Sequence, residues 1–260
     1  MRIVRPKKAL GQHFLTDMGI AQSIADTVDC RPSLPILEIG PGTGVLTQFL
    51  IDKDRLFKTV ELDGESVRYL RSAYPQLGDN LIEGDFLRLN LHELFGGEKF
   101  LLTGNYPYNI SSQIFFKMLD NMDLIPCCTG MVQREVAQRI CAAPGNKAYG
   151  ILSVLIQAWY DAEYLFTVRP EVFNPPPKVH SAVIRLTRND RVDLGCNAEL
   201  FKRVVKGTFN QRRKMIRNSI RSCIGKESPL PSCQWLDKRP EQLSVQDFIE
   251  LTNLVEESNT

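Results

Sequence analysis

The stretch LEIGPGTGVLT, residues 37–47, decides the fold, because an apolar run meets a glycine-rich loop and then a helix-like segment. Gly40, Gly42 and Gly44 stand at alternate positions. Glycine lets the backbone turn sharply and approach a ligand without a Cβ in the way. The spacing is GxGxG rather than the GxGxxG of dinucleotide folds, and no GK[ST] follows, so a phosphate-cradling loop is not predicted. Tight strand–helix packing without a ligand is the alternative explanation of such a loop.

Short apolar runs alternate with amphipathic segments on both sides of this loop. LPILEIG, FKTVELD, NLIEGDF and KFLLTGN are typical of buried strands, and VLTQFLIDK and ESVRYLRSAY are typical of helices. The alternation predicts an α/β fold with a doubly wound parallel sheet. Ligands of such sheets bind beyond the carboxyl ends of the strands, and all four predicted strands end in small or polar residues.

The residues at two of these strand ends indicate a binding site for a nucleoside. Glu61 lies about twenty residues after the loop, where a carboxylate can accept hydrogen bonds from both ribose hydroxyls. Asp85 could accept from an adenine amino group, and Leu62 and Phe86 could hold the adenine ring between them. A cofactor that has a ribose and no pyrophosphate fits best, which is S-adenosylmethionine in a Rossmann-like class I methyltransferase fold. NAD is the alternative for this half.

The fourth strand ends in GNYPYNISS, residues 104–112, which is unusual for a plain turn because it contains two phenol rings. The exocyclic amine of adenine is a poor nucleophile until acceptors take its N–H bonds. The Asn105 amide oxygen and the Tyr106 main-chain carbonyl could be those acceptors, with Pro107 fixing the backbone. Tyr108 offers a ring face to an extruded base. The alternative is a turn that precedes a helix over 111–120 with Ser111 as its N-cap.

The rest of the chain adds extended segments, a proline loop and a helical tail. AEYLFTVRP and HSAVIRLTR flank VFNPPPKVH, whose three prolines predict a rigid loop. Beyond about residue 190 the periodicity is purely helical, so we predict a catalytic domain over 1–190 and a small all-helical domain over 191–260.

Charge and cysteine usage bound the class of protein. The net charge of +2 hides clusters of cations near the start and between 199 and 226, which suit nucleic acid as well as a solvated helix face. The candidate nucleic-acid-binding cations are Lys7, Lys8, Lys178, Arg212, Arg213 and Lys214. Seven scattered cysteines and three distant histidines predict neither a disulfide framework nor a metal site, and they fit a reducing cytoplasm. No apolar run is long enough to span a bilayer, and no secretory signal is expected.

These motifs together resemble the ribosomal RNA adenine dimethyltransferase family over nearly the whole length. The matching segments include KKALGQHFL at 7–15, LEIGPGTGVLT, VELD, GDFL, GNYPYNISS, FNPPPKVHSAVIRL at 173–186 and RPEQLSVQDF at 239–248. The resemblance implies N6,N6-dimethylation of two adjacent adenosines in a hairpin near the 3′ end of 16S rRNA, with a role in small-subunit biogenesis. It also implies a cytoplasmic protein that acts as a monomer on the small subunit or its precursor.

The same resemblance implies roles for particular residues. His13, Leu15, Gly40, Glu61, Asp85 and Asn105 would contact the cofactor, and Tyr108 and Phe173 would stack on the target base. The helical tail would bind RNA. Tyr106 departs from the Leu or Ile usual in this motif, and we expect activity to survive because its carbonyl carries the role.

Other functions remain open at the level of sequence. One is methylation of large-subunit rRNA, as resistance enzymes do, or of adenine in DNA. Another is a ribosome assembly factor whose binding matters more than its chemistry. Changing Asn105 to Ala distinguishes the assembly factor from the enzyme. An enzyme should lose methylation, whereas a protein that acts by binding alone should keep its function in assembly.

Overall fold

The computed structural model describes residues 4, 6–7, 10–224, 230 and 232–258. Nine strands occur in this part of the chain: β1 (Phe14–Leu15), β2 (Ile36–Ile39), β3 (Phe57–Glu61), β4 (Leu81–Glu83), β5 (Leu101–Thr103), β6 (Cys127–Gln133), β7 (Tyr160–Val168), β8 (Phe173–Asn174) and β9 (Ser181–Arg188). Ten α-helices accompany them in the same residues: α1 (Met18–Asp26), α2 (Thr47–Leu50), α3 (Gly64–Ala73), α4 (Leu91–Leu94), α5 (Ser111–Asp120), α6 (Arg134–Ile140), α7 (Ile151–Gln157), α8 (Ala198–Phe209), α9 (Ile216–Ser219) and α10 (Val245–Ser258).

Seven of the strands form one mixed sheet in the order β4-β3-β2-β5-β6-β9-β7. The pairs from β4 through β6 are parallel, and β9 runs antiparallel to β6. The chain leaves β2 toward β3 on one side and returns to β5 on the other. In doubly wound sheets a crevice opens at such a reversal, beyond the carboxyl ends of the strands. The predicted α/β fold is confirmed.

The four predicted strands form β2, β3, β4 and β5. All four residues of β2 and all three of β5 are buried, as expected for strands covered on both faces. The helix predicted over VLTQFLIDK is shorter than expected, because turns of the glycine loop continue to Leu46 and α2 begins only at Thr47. Ser111 is the first residue of α5 rather than its N-cap, and Ile110 occupies the cap position.

The proline loop contributes a strand pair that the sequence did not indicate. Phe173 and Asn174 precede the prolines and pair antiparallel with Leu15 and Phe14 of β1. The next residue, Thr16, donates both its N–H and its hydroxyl to the Val172 carbonyl, at 2.8 and 2.9 Å. The segment before α1 is thereby fixed to the segment before the prolines.

The chain divides into two compact units. The first comprises Met1–Ala137 and Glu163–Arg188, and the second comprises Gln138–Ala162 and Asn189–Thr260. The final stretch of the second unit begins next to the predicted boundary near 190. Residues 138–162, which the prediction placed in the first domain, belong to the second unit.

The second unit has its own apolar core. The predicted helical periodicity places Phe201, Val204 and Val205 on the buried face of α8, and Ile216 and Ile220 are also fully buried. The Phe209 ring packs against the rings of Tyr149 and Phe248, with centroids 6.2 and 5.8 Å away. No helix in the described residues is long and apolar enough to cross a membrane.

Candidate active site

A cavity of about 1040 Å³, counting the part open to solvent, lies in the first unit beyond the carboxyl ends of β2, β3, β4 and β5. It is the crevice expected at the reversal of strand order. Eleven of the predicted site residues line it: His13, Leu15, Gly40, Gly42, Glu61, Leu62, Asp85, Phe86, Asn105, Pro107 and Tyr108.

The glycine loop is fastened to the end of β3 by Glu61. One carboxylate oxygen, Oε2, accepts from the Gly42 N–H at 3.0 Å, and the other accepts from the Asp63 N–H at 2.8 Å. Gly42 has a φ of +58°, a conformation that favours glycine. Burial raises the pKa of Glu61 above its ordinary value. A carboxylate has about four acceptor sites, so Glu61 keeps acceptor capacity beyond these two hydrogen bonds.

Glu38 is a cavity residue that the sequence analysis missed. Its side chain is 1% exposed, and its Oε2 accepts from the Thr47 hydroxyl at 2.7 Å. Burial raises the pKa of Glu38 to about 8. The signal was present, because an acid inside an apolar strand next to a ligand-binding loop is a candidate functional group.

The predicted adenine subsite has one exposed wall and one buried wall. Leu62 is 55% exposed, whereas Phe86 is buried and has the Lys117 ammonium 5.4 Å from its ring centroid. That ammonium donates to the carbonyls of Leu87 and Leu89, at 3.0 and 2.6 Å. Asp85 accepts from the Leu87 N–H at 2.9 Å through Oδ1. The short 3₁₀ helix over Phe86–Arg88 is thus held from both ends.

The Asn105 amide has a defined orientation at the end of β5. Its Nδ2 donates to the main-chain carbonyl of His13 at 3.2 Å. Because only the NH₂ side of an amide can donate to a carbonyl, this bond fixes which side carries Oδ1. The acceptor oxygen is therefore directed away from the His13 carbonyl, and Asn105 is one of the residues that line the cavity.

Tyr108 is held by two contacts that fix its ring. The His13 ring lies nearly parallel to it, with centroids 5.5 Å apart and an interplanar angle of 27°. Its hydroxyl shares a short hydrogen bond with the Ser181 hydroxyl at the start of β9. Burial raises the pKa of Tyr108, so the phenol stays neutral near pH 7. Ser181 escaped the sequence analysis, since nothing local in HSAVIRL links it to residue 108.

Phe173, the second predicted stacking residue, is buried in this structure. Its side chain is 3% exposed and lies in the core with Leu15, its partner in the β1–β8 pair. It is not among the residues that line the cavity. Of the two predicted stacking residues, Tyr108 therefore lines the cavity in this structure and Phe173 does not, and stacking by Phe173 stays a prediction.

The predicted RNA-binding cations fall into two groups. The Lys7 ammonium forms a short ion pair with Asp63, and Glu65 lies 3.4 Å away. Arg212 donates to Glu241 at 2.6 Å and to the Lys147 carbonyl at 2.5 Å, so it stabilises the second unit. The cations that are exposed are Lys178, Arg213 and Lys214. Lys8 lies outside the described residues.

The described residues contain no group of three or more His, Cys, Asp or Glu side chains that could hold a metal ion. The donors and acceptors around the cavity suit a nucleoside and an amino acid rather than a phosphate. They include the carboxyls of Glu38, Glu61 and Asp85, the Asn105 amide and the main chain of the glycine loop.

Comparison with known proteins identifies close relatives. A family model described as "Ribosomal RNA adenine dimethylase" matches residues 3–256. "Ribosomal RNA small subunit methyltransferase A" of Bacteroides thetaiotaomicron is 69% identical over 258 residues, covering 99% of this chain and 97% of the relative. The protein of the same name from Flavobacterium johnsoniae is 51% identical and covers 98% of each chain.

Solved structures show the same fold. A dimethyladenosine transferase from Plasmodium falciparum superposes with a TM-score of 0.78 at 24% identity, over 95% of this chain and 98% of that one. The 23S rRNA methyltransferase ErmE superposes with a TM-score of 0.67 at 27% identity, over 94% of this chain and 99% of that one.

Proposed function

The chain belongs to the ribosomal RNA adenine dimethylase family, and from this premise we propose that it dimethylates two adjacent adenosines in the hairpin near the 3′ end of 16S rRNA. It is an rRNA adenine dimethyltransferase that uses S-adenosylmethionine. The substrate proposed is 16S rRNA within the small ribosomal subunit or its precursor. We expect the protein to act as a monomer in the cytoplasm and to take part in small-subunit biogenesis.

The cavity residues fit the cofactor. Glu61 would accept from the ribose hydroxyls, Asp85 from the adenine amine, and Leu62 and Phe86 would enclose the adenine ring. Gly40 of the glycine loop faces Pro107 at the cavity wall, since an added Cβ would lie 3.6 Å from the proline ring. When bound, S-adenosylmethionine supplies an electrophilic methyl group.

The single observation that carries the proposal is the oriented amide of Asn105. Its Oδ1, together with the Tyr106 carbonyl, would accept the two N–H bonds of adenine N6 and favour a pyramidal nitrogen with its lone pair free. Acceptors fixed before the reaction contribute most to such electrostatic catalysis. Tyr108, held by His13 and Ser181, would stack on the extruded base.

The test is methyl transfer by the wild-type protein and its Asn105→Ala variant. Each is mixed with radiolabelled S-adenosylmethionine and one of three substrates: undermethylated small subunits, naked 16S rRNA, or large subunits. We expect label in dimethyladenosine of the small subunit for the wild type and a loss of at least about 100-fold for the variant. Asn90→Ala, at an exposed helix N-cap outside the cavity, is the matched control and should methylate normally.

Methylation of large-subunit rRNA is the second candidate function. The similarity to ErmE over 94% of the chain favours it, since ErmE is a 23S rRNA methyltransferase. Strong labelling of large subunits in the same experiment would replace the small-subunit proposal. Unaltered assembly of small subunits with the Asn105→Ala variant would instead assign the biological role to binding.

A further inference from the structure

Tyr106 is the residue of the NYPY segment whose side chain has no assigned role. It is 1% exposed and one of the largest fully buried side chains. Its hydroxyl donates to the Thr129 carbonyl of β6 at 2.7 Å and contacts the Cys128 sulfur at 3.2 Å. Its ring meets the Phe115 ring edge-on, with centroids 5.9 Å apart. The phenol therefore points away from the cavity and into the layer between β6 and α5.

The main chain of Tyr106 is fixed to the same strand. Its N–H donates to the Met131 carbonyl at 3.0 Å, and the Met131 N–H donates to the Gly104 carbonyl at 2.9 Å. These bonds extend the pairing of β5 and β6 beyond β5, through the bridge between Asn105 and Met131. Pro107 then restricts the backbone on the other side of the Tyr106 carbonyl.

Gly130 provides the space for the ring. A Cβ at position 130 would lie 2.8 Å from Cε2 of Tyr106 and 2.4 Å from the Gly104 carbonyl oxygen. A side chain at position 130 would therefore displace both the phenol and the end of β5. The Tyr106 ring packs directly over Gly130, and its hydroxyl donates to the carbonyl of the neighbouring residue, Thr129.

We infer that Tyr106 is a positioning residue: its phenol hydroxyl, bound to the Thr129 carbonyl, sets the direction of the Tyr106 main-chain carbonyl that receives the target amine. The inference rests on the proposed function. The side chain and the N–H hold residue 106 at two points on one rigid strand, so its carbonyl has little freedom left. A Leu or Ile at this position could fill the apolar volume but could not form the hydrogen bond.

The test compares Tyr106→Phe with three other variants. Tyr106→Phe keeps the ring and removes the hydroxyl, and Tyr106→Leu removes both. Cys128→Ala removes the weaker sulfur contact and keeps the bond to Thr129. Tyr149→Phe is the matched control, because Tyr149 is also fully buried and its hydroxyl has no hydrogen-bond partner among the described residues.

The readouts are the single-turnover rate of methyl transfer to undermethylated small subunits, the Kd for S-adenosylmethionine, and the ratio of monomethyl- to dimethyladenosine. We expect Tyr106→Phe to slow transfer roughly tenfold with donor affinity changed less than about twofold, since small misplacements of an acceptor cost rate rather than donor binding. Monomethyladenosine should accumulate, because the second transfer depends on the acceptor for the one remaining N–H. Tyr106→Leu should be at least as slow, and Cys128→Ala and Tyr149→Phe should match the wild type.

Wild-type rates in Tyr106→Phe or Tyr106→Leu would overturn the inference. So would an equal fall of rate and donor affinity, which would indicate general loosening, or a Cys128→Ala defect as large as that of Tyr106→Phe. A wild-type protein that labels no adenosine would reject the proposed function itself. The two failures are therefore distinguishable.

Discussion

Glu38 places a carboxyl group in a strand whose other side chains, Ile36, Leu37 and Ile39, are all buried and apolar. Burial raises its pKa from an ordinary value of 4.5 to about 8. The folded protein thus keeps a proton that the unfolded chain releases above about pH 4.5. The stability that comes with this proton is complete below about pH 4.5 and is lost as the pH rises toward 8.

The Glu38→Gln variant tests this account, because Gln can accept the hydrogen bond from Thr47 and does not titrate. The quantity to follow is the free energy of unfolding of the variant minus that of the wild type. We expect this difference to increase by about 3 kcal/mol between pH 5 and pH 8, because only the wild type loses the stability that comes with the proton. Urea unfolding at each pH unit measures the difference. The exposed Glu98→Gln variant is the control for a Glu-to-Gln substitution outside the core. A flat difference for Glu38→Gln would contradict the buried proton.

Gly44 is needed for packing as well as for the turn. Its φ is +80°, and an added Cβ would lie 2.4 Å from the Tyr74 ring. We expect Gly44→Ala to destabilise the protein by about 2–5 kcal/mol, the sum of left-handed strain and overpacking. Gly96 also has a positive φ, of +64°, but open space around it, so Gly96→Ala should cost only about 1–2 kcal/mol. Equal losses in urea unfolding would show that the Tyr74 contact is unimportant.

At the scale of elements, local patterns predicted the sheet and the position of the cavity. β2 to β5 are short apolar runs with polar ends, so their pairing and the meeting of their carboxyl ends follow from general rules of α/β folds. The β1–β8 pair could not be predicted in the same way. It joins Phe14 to Asn174 across 160 residues, and two-residue strands have no periodicity to detect.

The same long-range pairing accounts for the burial of Phe173, which its local sequence did not indicate. The resemblance placed a stacking ring at this position, but the burial of the ring depends on where Leu15 lies. The oversight of Glu38 and Ser181 has a related cause. Glu38 stands inside a strand rather than at its end, and the contact of Ser181 with Tyr108 spans 73 positions.

Leu substitutions at Phe173 and Tyr108 distinguish a core ring from a stacking ring. We expect Phe173→Leu to destabilise the protein by about 1–2 kcal/mol through lost packing, while methyl transfer by the folded variant stays within about threefold of the wild type. Tyr108→Leu should instead lose most of its transfer rate, because Tyr108 lines the cavity. The measurements are urea unfolding and single-turnover transfer. An equal loss of rate in both variants would instead support Phe173 as a base-stacking residue.

At the scale of the whole molecule, the net charge says little about where RNA binds, because several cations are neutralised by neighbours. Lys7 is paired with Asp63, and Arg212 is paired with Glu241. Arg213 and Lys214 follow directly in the sequence and are exposed. Sequence alone cannot separate Arg212 from its two neighbours, since the partner carboxylate lies 29 positions away.

The three adjacent cations should therefore behave in opposite ways when they are removed. The double variant Arg213→Ala/Lys214→Ala should bind 16S rRNA more weakly, and the slope of log affinity against log salt should fall by about 2, since each phosphate contact contributes roughly one unit. Its stability should be unchanged. Arg212→Ala should keep the salt slope and lose about 1 kcal/mol of stability, because a half-exposed ion pair contributes no more than that.

Filter binding of 16S rRNA over a range of salt concentrations, together with urea unfolding, measures both quantities for both variants. A fall in the salt slope for Arg212→Ala would mean that its guanidinium leaves Glu241 to bind phosphate. An unchanged slope for the double variant would move the RNA contact away from Arg213 and Lys214. Lys178 lies in the proline loop of the first unit, so the Lys178→Ala variant then tests that loop separately from the second unit. If the salt slope of Lys178→Ala falls by about one unit, the phosphate contact is at the proline loop.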